Sequence, residues 1–275
     1  MLEATVRQRG PYSLRLTVRG SDWHARLPEG EWAAASQLPD GRVTIRAASG
    51  RALEHARFLL ALDDDTSEFH RRFADDPLLG PAARRLRGLR PRRRPTVVHA
   101  ALRAVCGQLV QAGKALALER SVIHACGEDP PSREALLRLS PAALTGCGLA
   151  ASRASALHRL CREVDLERLR TESDTALARL RRVSGIGPWS LGVIALQGLG
   201  RYDAGLVGDL CLVKLQASLA GRWPDPSETA ALLEPYGEWR GLASVFLLQA
   251  FERGLVPGAS KDRARLVQAR TARTA

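Results

Sequence analysis

Residues 180–215 read LRRVSGIGPWSLGVIALQGLGRYDAGLVGDLCLVKL, and this stretch decides the fold. Two helical patterns in it are joined by the short turn 184–188, which contains Gly185 and Gly187. Glycine permits a positive φ and lets the backbone approach another molecule closely. Pro188 suits the first position of the next helix, because the N–H that proline lacks would have no helical partner there. The pattern predicts two helices joined by a tight hairpin.

The predicted hairpin has groups that can bind a ligand. The N–H groups around Trp189 and Ser190 lie at the positive end of the second helix and have no helical partner. Such groups form a phosphate site. Ile186 is expected to point into the gap between the two helices and hold the hairpin closed. From these residues alone, an ordinary glycine-containing helix turn explains the pattern equally well.

Asp209 follows Val207 and Gly208 and directly precedes the apolar run LCLVKL. Aspartate is a preferred N-cap residue, because its carboxylate accepts a hydrogen bond from a free N–H group of the first helical turn. One interpretation of Asp209 is therefore a helix cap and nothing more. The other is a functional carboxylate at a helix start, and one residue can serve in both ways.

The composition indicates a globular protein with a polyanionic partner. The chain has 275 residues, 45% of them hydrophobic, and a formal net charge of +12. This length supports one large or two ordinary domains with a real core, which excludes disorder throughout. Excess positive charge favours phosphate contacts, because these release counterions. Only Lys114, Lys214 and Lys261 are lysine; the arginine bias suits bidentate phosphate contacts, and a GC-rich genome explains it equally well.

Several protein classes are not indicated. No apolar run reaches the ~20 residues that span a bilayer. The N-terminal MLEATVRQRG has no apolar centre of a signal peptide, so we expect a cytoplasmic, nucleoid-associated bacterial protein. The histidines form no H-E-x-x-H pattern. The cysteines are widely spaced without a C-x-x-C pair, so neither zinc nor an iron–sulfur cluster is expected: Cys106, Cys126, Cys147, Cys161 and Cys211.

The first 80 residues predict a small α+β domain. Alternating polarity, with the turn dipeptide Asp40-Gly41, predicts an antiparallel sheet with strands at 12–18, 23–27 and 43–47. Helical spacing follows over 52–60, and Phe69 with Phe73 marks another short helix. Residues 81–95 then read PAARRLRGLRPRRRP, where prolines forbid a continuous helix. This segment is expected to be an arginine-rich linker or surface extension, either a solvated charge run or a direct phosphate contact.

The rest of the chain predicts a helical domain over 96–258. An apolar stripe with helical spacing indicates one long helix through Val98, Leu102, Val105, Leu109, Ala112 and Leu116. Further helices are expected at 132–138, 141–145, 151–163, 174–182, 188–198, 209–220, 227–234 and 240–252. The last stretch, 259–275, is a polar and basic tail that we expect to be frayed.

Residues 180–215 resemble the helix-hairpin-helix motif of the DNA glycosylase superfamily, with its Gly/Pro-rich loop and the aspartate that follows, here Asp209. The twenty residues from Trp189 to Asp209 are similar to the spacing in the alkylated-base branch. The resemblance continues over 101–110 and 144–157 and covers nearly the whole chain. It implies a mainly α fold, in which a small N-terminal α+β domain with an antiparallel sheet precedes the helical glycosylase domain.

The same resemblance implies a function in base excision repair. A damaged, alkylated purine would be flipped out of double-stranded DNA, and its N-glycosidic bond would be hydrolysed with Asp209 as the catalytic carboxylate. Bifunctional members carry a lysine where this chain has Trp189, so a monofunctional enzyme without lyase activity is implied. We also expect the protein to be a monomer. The alternatives are a catalytically silent DNA-structure-binding protein and a glycosylase for oxidised or deaminated bases.

The resemblance also implies a set of site residues. A base pocket would contain Trp189, Trp239 and Phe246, although Val193 and Leu248 stand where the family has aromatic rings, and core packing explains Trp239 and Phe246 equally well. The backbone carbonyls of Arg181, Val183 and Ile186 would hold a monovalent cation, with no other cofactor. The implied DNA-binding residues are Gly185, Ile186, Gly187, Trp189, Ser190, Gln108 and Lys214.

Overall fold

A computed structural model describes residues 1–108 and 110–274; Leu109 and Ala275 lie outside the described residues, as do the side chains of Ser173, Asp174 and Thr274. The N-terminal part contains one antiparallel sheet with the strand order β1-β4-β3-β2. Its strands are β1 (Leu2–Val6), β2 (Asp22–Arg26), β3 (Trp32–Gln37) and β4 (Val43–Ala47).

Helices make up most of the described chain. They are α1 (Leu14–Val18), α2 (Gly50–Leu59), α3 (Ser67–Arg72), α4 (Gly80–Arg85), α5 (Val97–Gly107), α6 (Ala112–Cys126), α7 (Arg133–Arg138), α8 (Pro141–Gly146), α9 (Ala151–Glu163), α10 (Ser173–Arg181), α11 (Pro188–Ile194), α12 (Leu210–Ala220), α13 (Thr229–Leu233), α14 (Arg240–Glu252) and α15 (Lys261–Thr274). The predicted fold class is confirmed. Across the described ranges, no helix combines the length and the apolar character needed to cross a bilayer.

The predicted strand over 12–18 is wrong, because this segment contains helix α1. The Ser13 hydroxyl caps the helix by accepting a hydrogen bond from the N–H of Leu16. Leu14 and Thr17 point into the protein, and a spacing of three residues suits one face of a helix. The strands predicted at 23–27 and 43–47 are confirmed as β2 and β4. Strands β1 and β3 were not predicted.

Two hydrophobic cores form, one beneath the sheet and one among the helices. The sheet packs against α2, while α5 is almost entirely buried at the centre of the helical domain. The predicted long helix over 98–116 is wrong, because α5 ends at Gly107 and α6 begins at Ala112. The ring of Trp189 lies so close to Gly107 that a Cβ there would be 2.5 Å from the indole.

The C-terminal segment is not a frayed tail over its described length. Residues 261–274 form α15, and Ala264 and Val267 are buried. The helix packs against α12. Two apolar residues three positions apart are enough to fix one face of a short helix, even in an otherwise polar sequence.

The arginine-rich segment also departs from the prediction of a surface extension. Arg90 is only 1% exposed, and its Nη2 donates to the carbonyls of Arg9 at 3.0 Å and Pro11 at 2.8 Å. Arg93 is 7% exposed. Buried guanidinium groups need protein acceptors, and here distant backbone carbonyls supply them. The sequence shows the charges but not these acceptors.

Arg93 connects the two domains. Its Nη1 donates to the carbonyl of Phe58 at 2.9 Å, and its Nη2 donates to Oδ2 of Asp64 at 2.5 Å and to the carbonyl of Gly200 at 3.1 Å. The Tyr202 hydroxyl also donates to Asp64. Since Phe58 and Asp64 belong to the N-terminal domain and Gly200 and Tyr202 to the helical domain, these bonds fix the orientation of one domain on the other. The group around Arg90 and Arg93 is called the domain junction below.

Candidate active site and DNA interface

The predicted hairpin joins α10 to α11, and its two glycines differ in role. Gly185 has a φ of +94°, and a Cβ on it would lie 2.5 Å from Cβ of Ala156 on α9. Only glycine fits there. Gly187 has an ordinary φ of −83°, and a Cβ on it would meet nothing within 4 Å. The first glycine is therefore required by the fold, while the second leaves an open backbone surface.

Neighbouring side chains hold the hairpin in place. Ile186 is buried, as expected, and its N–H donates to the carbonyl of Val183 at 3.1 Å. Gln108 donates from Nε2 to the carbonyl of Gly185 at 2.9 Å and to the Ser190 hydroxyl at 2.8 Å. Ser190 is 1% exposed. The Ser190 hydroxyl and the amide nitrogen of Gln108 are therefore engaged within the protein, and their contact with DNA stays a prediction.

Asp209 lies at the start of α12, where two N–H groups from different elements fix its carboxylate. Oδ1 accepts from the N–H of Cys211 at 2.8 Å, the bond of a helix N-cap. Oδ2 accepts from the indole Nε1 of Trp189 at 2.9 Å. The side chain is only half-buried, so a ligand can still reach it. The cap interpretation is confirmed, and it leaves the carboxylate oriented and accessible.

Trp189 connects the hairpin to this carboxylate. It follows Pro188 at the start of α11, its ring lies against Gly107 at the end of α5, and its N–H reaches Asp209. The spacing of twenty residues between Trp189 and Asp209 spans α11 and the loop that leads to α12. The structure thus brings the two most informative sequence positions into direct contact.

The other two residues predicted for a base pocket lie elsewhere. Phe246 is fully buried, with its ring centroid 5.0 Å from that of Phe69 and 5.6 Å from that of His70. This arrangement matches the core-packing interpretation, and a place for Phe246 in a base pocket stays a prediction. Trp239 stacks on Tyr202 with centroids 5.8 Å apart and also packs against Phe69. Both rings belong to the packing between α3 and the helical domain.

Sequence reasoning missed a small polar cluster next to Asp209. The Cys211 thiol lies 3.7 Å from Oε1 of Glu252, whose Oε2 is 2.8 Å from Nζ of Lys261. Burial, and then the charges of Asp209 and Glu252, raise the pKa of the Cys211 thiol to about 12, so it stays protonated and is no nucleophile. The hydrogen bond from Lys261, and to a lesser extent the charge of half-buried Lys214 on α12, lower the pKa of Glu252. The sequence feature that could have indicated this cluster is Cys211, which lies two residues after the capping residue Asp209.

Of the three carbonyls expected to bind a monovalent cation, that of Val183 already accepts the N–H of Ile186. A carbonyl oxygen has a second lone pair, so this bond does not prevent cation binding. Within residues 1–108 and 110–274, no group of three His, Cys, Asp or Glu side chains is arranged to hold a metal ion.

Comparison with known proteins identifies relatives of both the sequence and the fold. No protein-family model matches the chain. A DNA-3-methyladenine glycosylase from Bacillus subtilis (strain 168) is 26% identical over 204 residues, which cover 68% of this chain and 67% of the relative. This similarity in sequence reaches well beyond the hairpin.

Solved structures with this fold include a 3-methyladenine DNA-glycosylase from Archaeoglobus fulgidus, with a TM-score of 0.77 and 16% identity, covering 91% of this chain and 98% of that chain. An 8-oxoguanine glycosylase/lyase from Clostridium acetobutylicum, solved with double-stranded DNA, has a TM-score of 0.68 and 16% identity over 92% of this chain and 99% of that one. The similarity therefore includes the N-terminal domain. The chain therefore has the fold of these DNA glycosylases, and its sequence is similar to that of a DNA-3-methyladenine glycosylase over about two thirds of both chains.

Proposed function

We propose that this protein is a monofunctional DNA glycosylase that hydrolyses the N-glycosidic bond of alkylated purines. The observation that carries this proposal is the carboxylate of Asp209, which two N–H donors orient while its side chain stays accessible. Such a group can stabilise a positive charge that develops on a sugar. The name of the Bacillus subtilis relative, a DNA-3-methyladenine glycosylase, supports the substrate class.

The mechanism follows from the chemistry of the substrate. The damaged nucleotide must first leave the base stack, since the bond to be broken is not accessible within duplex DNA. As the bond between C1′ and the base nitrogen breaks, its electron pair leaves with the base, and ionised Asp209 stabilises the positive charge on the sugar. Water then bonds to C1′ and loses a proton to the surrounding solvent. A cationic alkylpurine leaves as a neutral base, so no dedicated general acid is required.

The absence of lyase activity is part of the proposal. A lyase step needs an amine that forms a Schiff base with the opened sugar. Trp189 offers an indole N–H at the hairpin, and this group already donates to Asp209. The Clostridium acetobutylicum structure is named a glycosylase/lyase, so the fold is compatible with both activities. Lys214, farther along α12, is the lysine to test for a trapped adduct.

The proposed partner is double-stranded DNA that contains a damaged base, bound by a monomer. We assign phosphate contacts to the hairpin backbone at Gly185 and Gly187 and to Lys214. Both glycines are exposed, and Gly187 has no protein atom in the space that a side chain would fill. A monovalent cation on the carbonyls of Arg181, Val183 and Ile186 would join the hairpin to a phosphate. Replacing potassium by a bulky organic cation at equal ionic strength should then weaken DNA binding.

One observation favours a second candidate, a DNA-structure-binding protein without excision activity. Phe246 is buried, and Trp239 stacks on Tyr202, so neither is free to sandwich an extruded base. Aromatic walls assist the recognition of electron-poor alkylated bases. A protein that keeps the hairpin but lacks these walls could bind distorted DNA without releasing a base.

The decisive experiment uses duplex oligonucleotides that each carry one lesion: an alkylated purine, an oxidised purine or a deaminated base. Base release is read as strand cleavage after alkali, and parallel samples without alkali report lyase activity. Borohydride is added to trap any Schiff base. We expect cleavage of the alkylpurine duplex only after alkali, without a trapped adduct. Tight binding with no release of any base would favour the second candidate instead.

A further inference from the structure

A basic groove lies between the N-terminal domain and the end of α14. Its volume is about 790 Å³, and its cationic side chains come from three separate elements: Arg15 and Arg19 at α1, Arg85 at the end of α4 and Arg253 just after α14. We call it the N-terminal groove. We propose that it binds the phosphodiester backbone of the DNA strand beside the damaged nucleotide, which makes the N-terminal domain part of the DNA interface. This inference rests on the proposed function.

The four arginines are not neutralised by the protein. Among the described residues, none of them makes a side-chain hydrogen bond or an ion pair, whereas Arg42, Arg46 and Arg57, also in the N-terminal domain, each pair with a carboxylate. A guanidinium group has five N–H donors, and those of the groove arginines are free for a ligand. Four unpaired cations on one concave surface indicate an anionic ligand with more than one charge.

Helix α1 is built in a way that directs its arginines to this surface. Arg15 lies on α1 and Arg19 directly follows it, and both line the groove, while Leu14 and Thr17 are buried. Arg19 ends the helix in the left-handed region, at a φ of 61° and a ψ of 36°. That conformation costs a residue with a side chain on the order of 1 kcal/mol, and glycine commonly takes such a position. In this chain the position is taken by Arg19, whose side chain lines the groove.

The two walls of the groove are rigidly connected. The N–H of Ser13 donates to the carbonyl of Gly88 at 2.9 Å, and the N–H of Arg90 donates to the Thr17 hydroxyl at 3.2 Å. A Cβ on Gly88 would lie 2.6 Å from the carbonyl carbon of Tyr12. Because α1 is thus fixed to the segment that follows α4, the groove arginines are held together before any ligand binds, which lowers the entropic cost of binding.

The groove lies next to the carboxylate site. Glu252 lines its wall, contacts Cys211 at 3.7 Å and pairs with Lys261 at 2.8 Å. The N–H of Cys211 donates to Asp209. One side-chain contact and one backbone bond therefore connect the groove wall to the carboxylate. Since Lys261 offsets the charge of Glu252, the groove remains strongly positive.

The lining favours a phosphate backbone over a base. The residues that line the groove include no aromatic ring on which a base could stack, and its apolar members are only Leu16 and Leu255. Guanidinium groups match phosphate oxygens in a bidentate manner. A strand that leaves the Asp209 site along this surface would place successive phosphates against cations from both domains.

The test is a double charge reversal, Arg15→Glu with Arg19→Glu. The matched control is Arg7→Glu with Arg26→Glu, which changes the net charge equally at two exposed arginines of the same domain. Both lie outside the groove and make no described side-chain hydrogen bond. Binding is measured with undamaged duplex and with duplex that carries a tetrahydrofuran abasic-site analogue, over a range of salt concentrations. We expect the groove variant to lose at least ~10-fold in affinity for both duplexes. The slope of log K against log salt should fall by about 2, because each lost phosphate contact contributes about 0.9.

Two results would overturn the proposal: affinity and salt slope equal to those of the control, or a loss confined to the lesion duplex, which would place the base in the groove. Circular dichroism melting checks that both variants are folded, which is the result expected for exchanges of exposed side chains. Failure of the proposed function is separate, since it appears as absence of base release by the unmodified protein. The undamaged duplex still tests the groove in that case.

Discussion

Two groups of arginines in this molecule are used in opposite ways. Arg90 and Arg93 belong to a dense arginine run, yet both are buried and donate to carbonyl and carboxylate oxygens of the protein. Arg15 and Arg253 are far apart in the sequence, yet they meet at one groove and have no described partner. Charge density along the sequence therefore does not show which cations can reach a polyanion. That is shown by the hydrogen-bond donors that have no acceptor within the folded protein.

The hairpin site and the domain junction differ in the same way, because the groups of the hairpin site are accessible and those of the junction are bonded within the protein. At the hairpin, Gly187 is exposed and Asp209 is only half-buried. At the junction, both Nη groups of Arg93 donate to acceptors of the two domains. Substitutions at the hairpin should change function with little change in stability, and substitutions at the junction should do the reverse.

The largest effect is expected for Asp209→Asn. We expect single-turnover base release to fall at least ~10³-fold, about 4 kcal/mol, because the charge that stabilises the sugar cation is lost. The fold should be kept, since asparagine still accepts the N–H of Cys211, and DNA affinity should stay equal or rise slightly. Asp225→Asn is the control, because Asp225 also caps a helical turn, accepting from Ser227 at 2.8 Å. Near-normal release by the Asp209 variant would remove this residue from the mechanism.

Arg93→Met should have the next largest effect, and it should appear in stability. We expect the free energy of unfolding to fall by about 3 kcal/mol, because Asp64 loses its cationic partner and the carbonyls of Phe58 and Gly200 lose a donor inside the protein. Arg92→Met is the control, since Arg92 is adjacent but exposed. Urea unfolding measures both variants. Equal stabilities would show that the junction arginine contributes no more than its solvated neighbour.

How much of this was predictable depends on how local the deciding contacts are. Helix α9 has the predicted bounds, 151–163, and the capping position of Asp209 could be read from the residues that follow it. Helix α1 was predicted as a strand, because the alternation of apolar residues at four positions was given more weight than the possible helix cap at Ser13. The burial of Arg90 could not be predicted, since the carbonyls that accept its hydrogen bonds lie 81 and 79 residues away in the sequence.

The site follows the same rule. The spacing of Trp189 and Asp209 identified two residues that do contact each other. The hydrogen bond between them also depends on how closely the indole approaches α5, and Gly107 on that helix permits the close approach. Phe246 looked equally suited to a base pocket, and only the packing of Phe69 and His70 around it shows that it is core. Residue type and spacing indicate which chemistry is available, while packing decides which groups remain accessible.

Trp189→Phe tests the positioning bond at the hairpin site. Phenylalanine keeps a ring against Gly107 but cannot donate to Asp209, so we expect kcat to fall about 10-fold with KM unchanged. Trp239→Phe is the control for the ring exchange, because the indole N–H of Trp239 has no described protein partner. A fall in kcat of equal size in both variants would mean that ring packing, not the bond to Asp209, is responsible.

Gly187→Val tests the open surface of the hairpin. The backbone there has an ordinary φ and free space, so the variant should fold normally. A β-branched side chain should keep a phosphate at a distance and weaken binding to all duplexes alike, by about 5- to 10-fold. Gly146→Val, at an exposed glycine with equally free space, is the control. Anisotropy titrations that give the same affinity for both variants would argue against phosphate contact at the hairpin.

The smallest effect is a pH dependence at the edge of the domain junction. Burial, and then the positive charges of Arg90 and Arg87, lower the pKa of His70 to about 4. The unfolded chain binds this proton near pH 6.5, so between these values it carries more protons than the folded protein. The contribution of His70 to the free energy of unfolding therefore falls as the pH drops from about 6.5 to about 4. His70→Phe keeps a ring beside Phe246 but cannot titrate, so its loss of stability between pH 7 and 4.5 should be smaller by about 1 kcal/mol, allowing for partial solvent screening.

His24→Gln, at an exposed histidine, should follow the unmodified protein in urea unfolding at each pH. If the His70 variant loses as much stability on acidification as the unmodified protein, the junction charges do not act on this histidine.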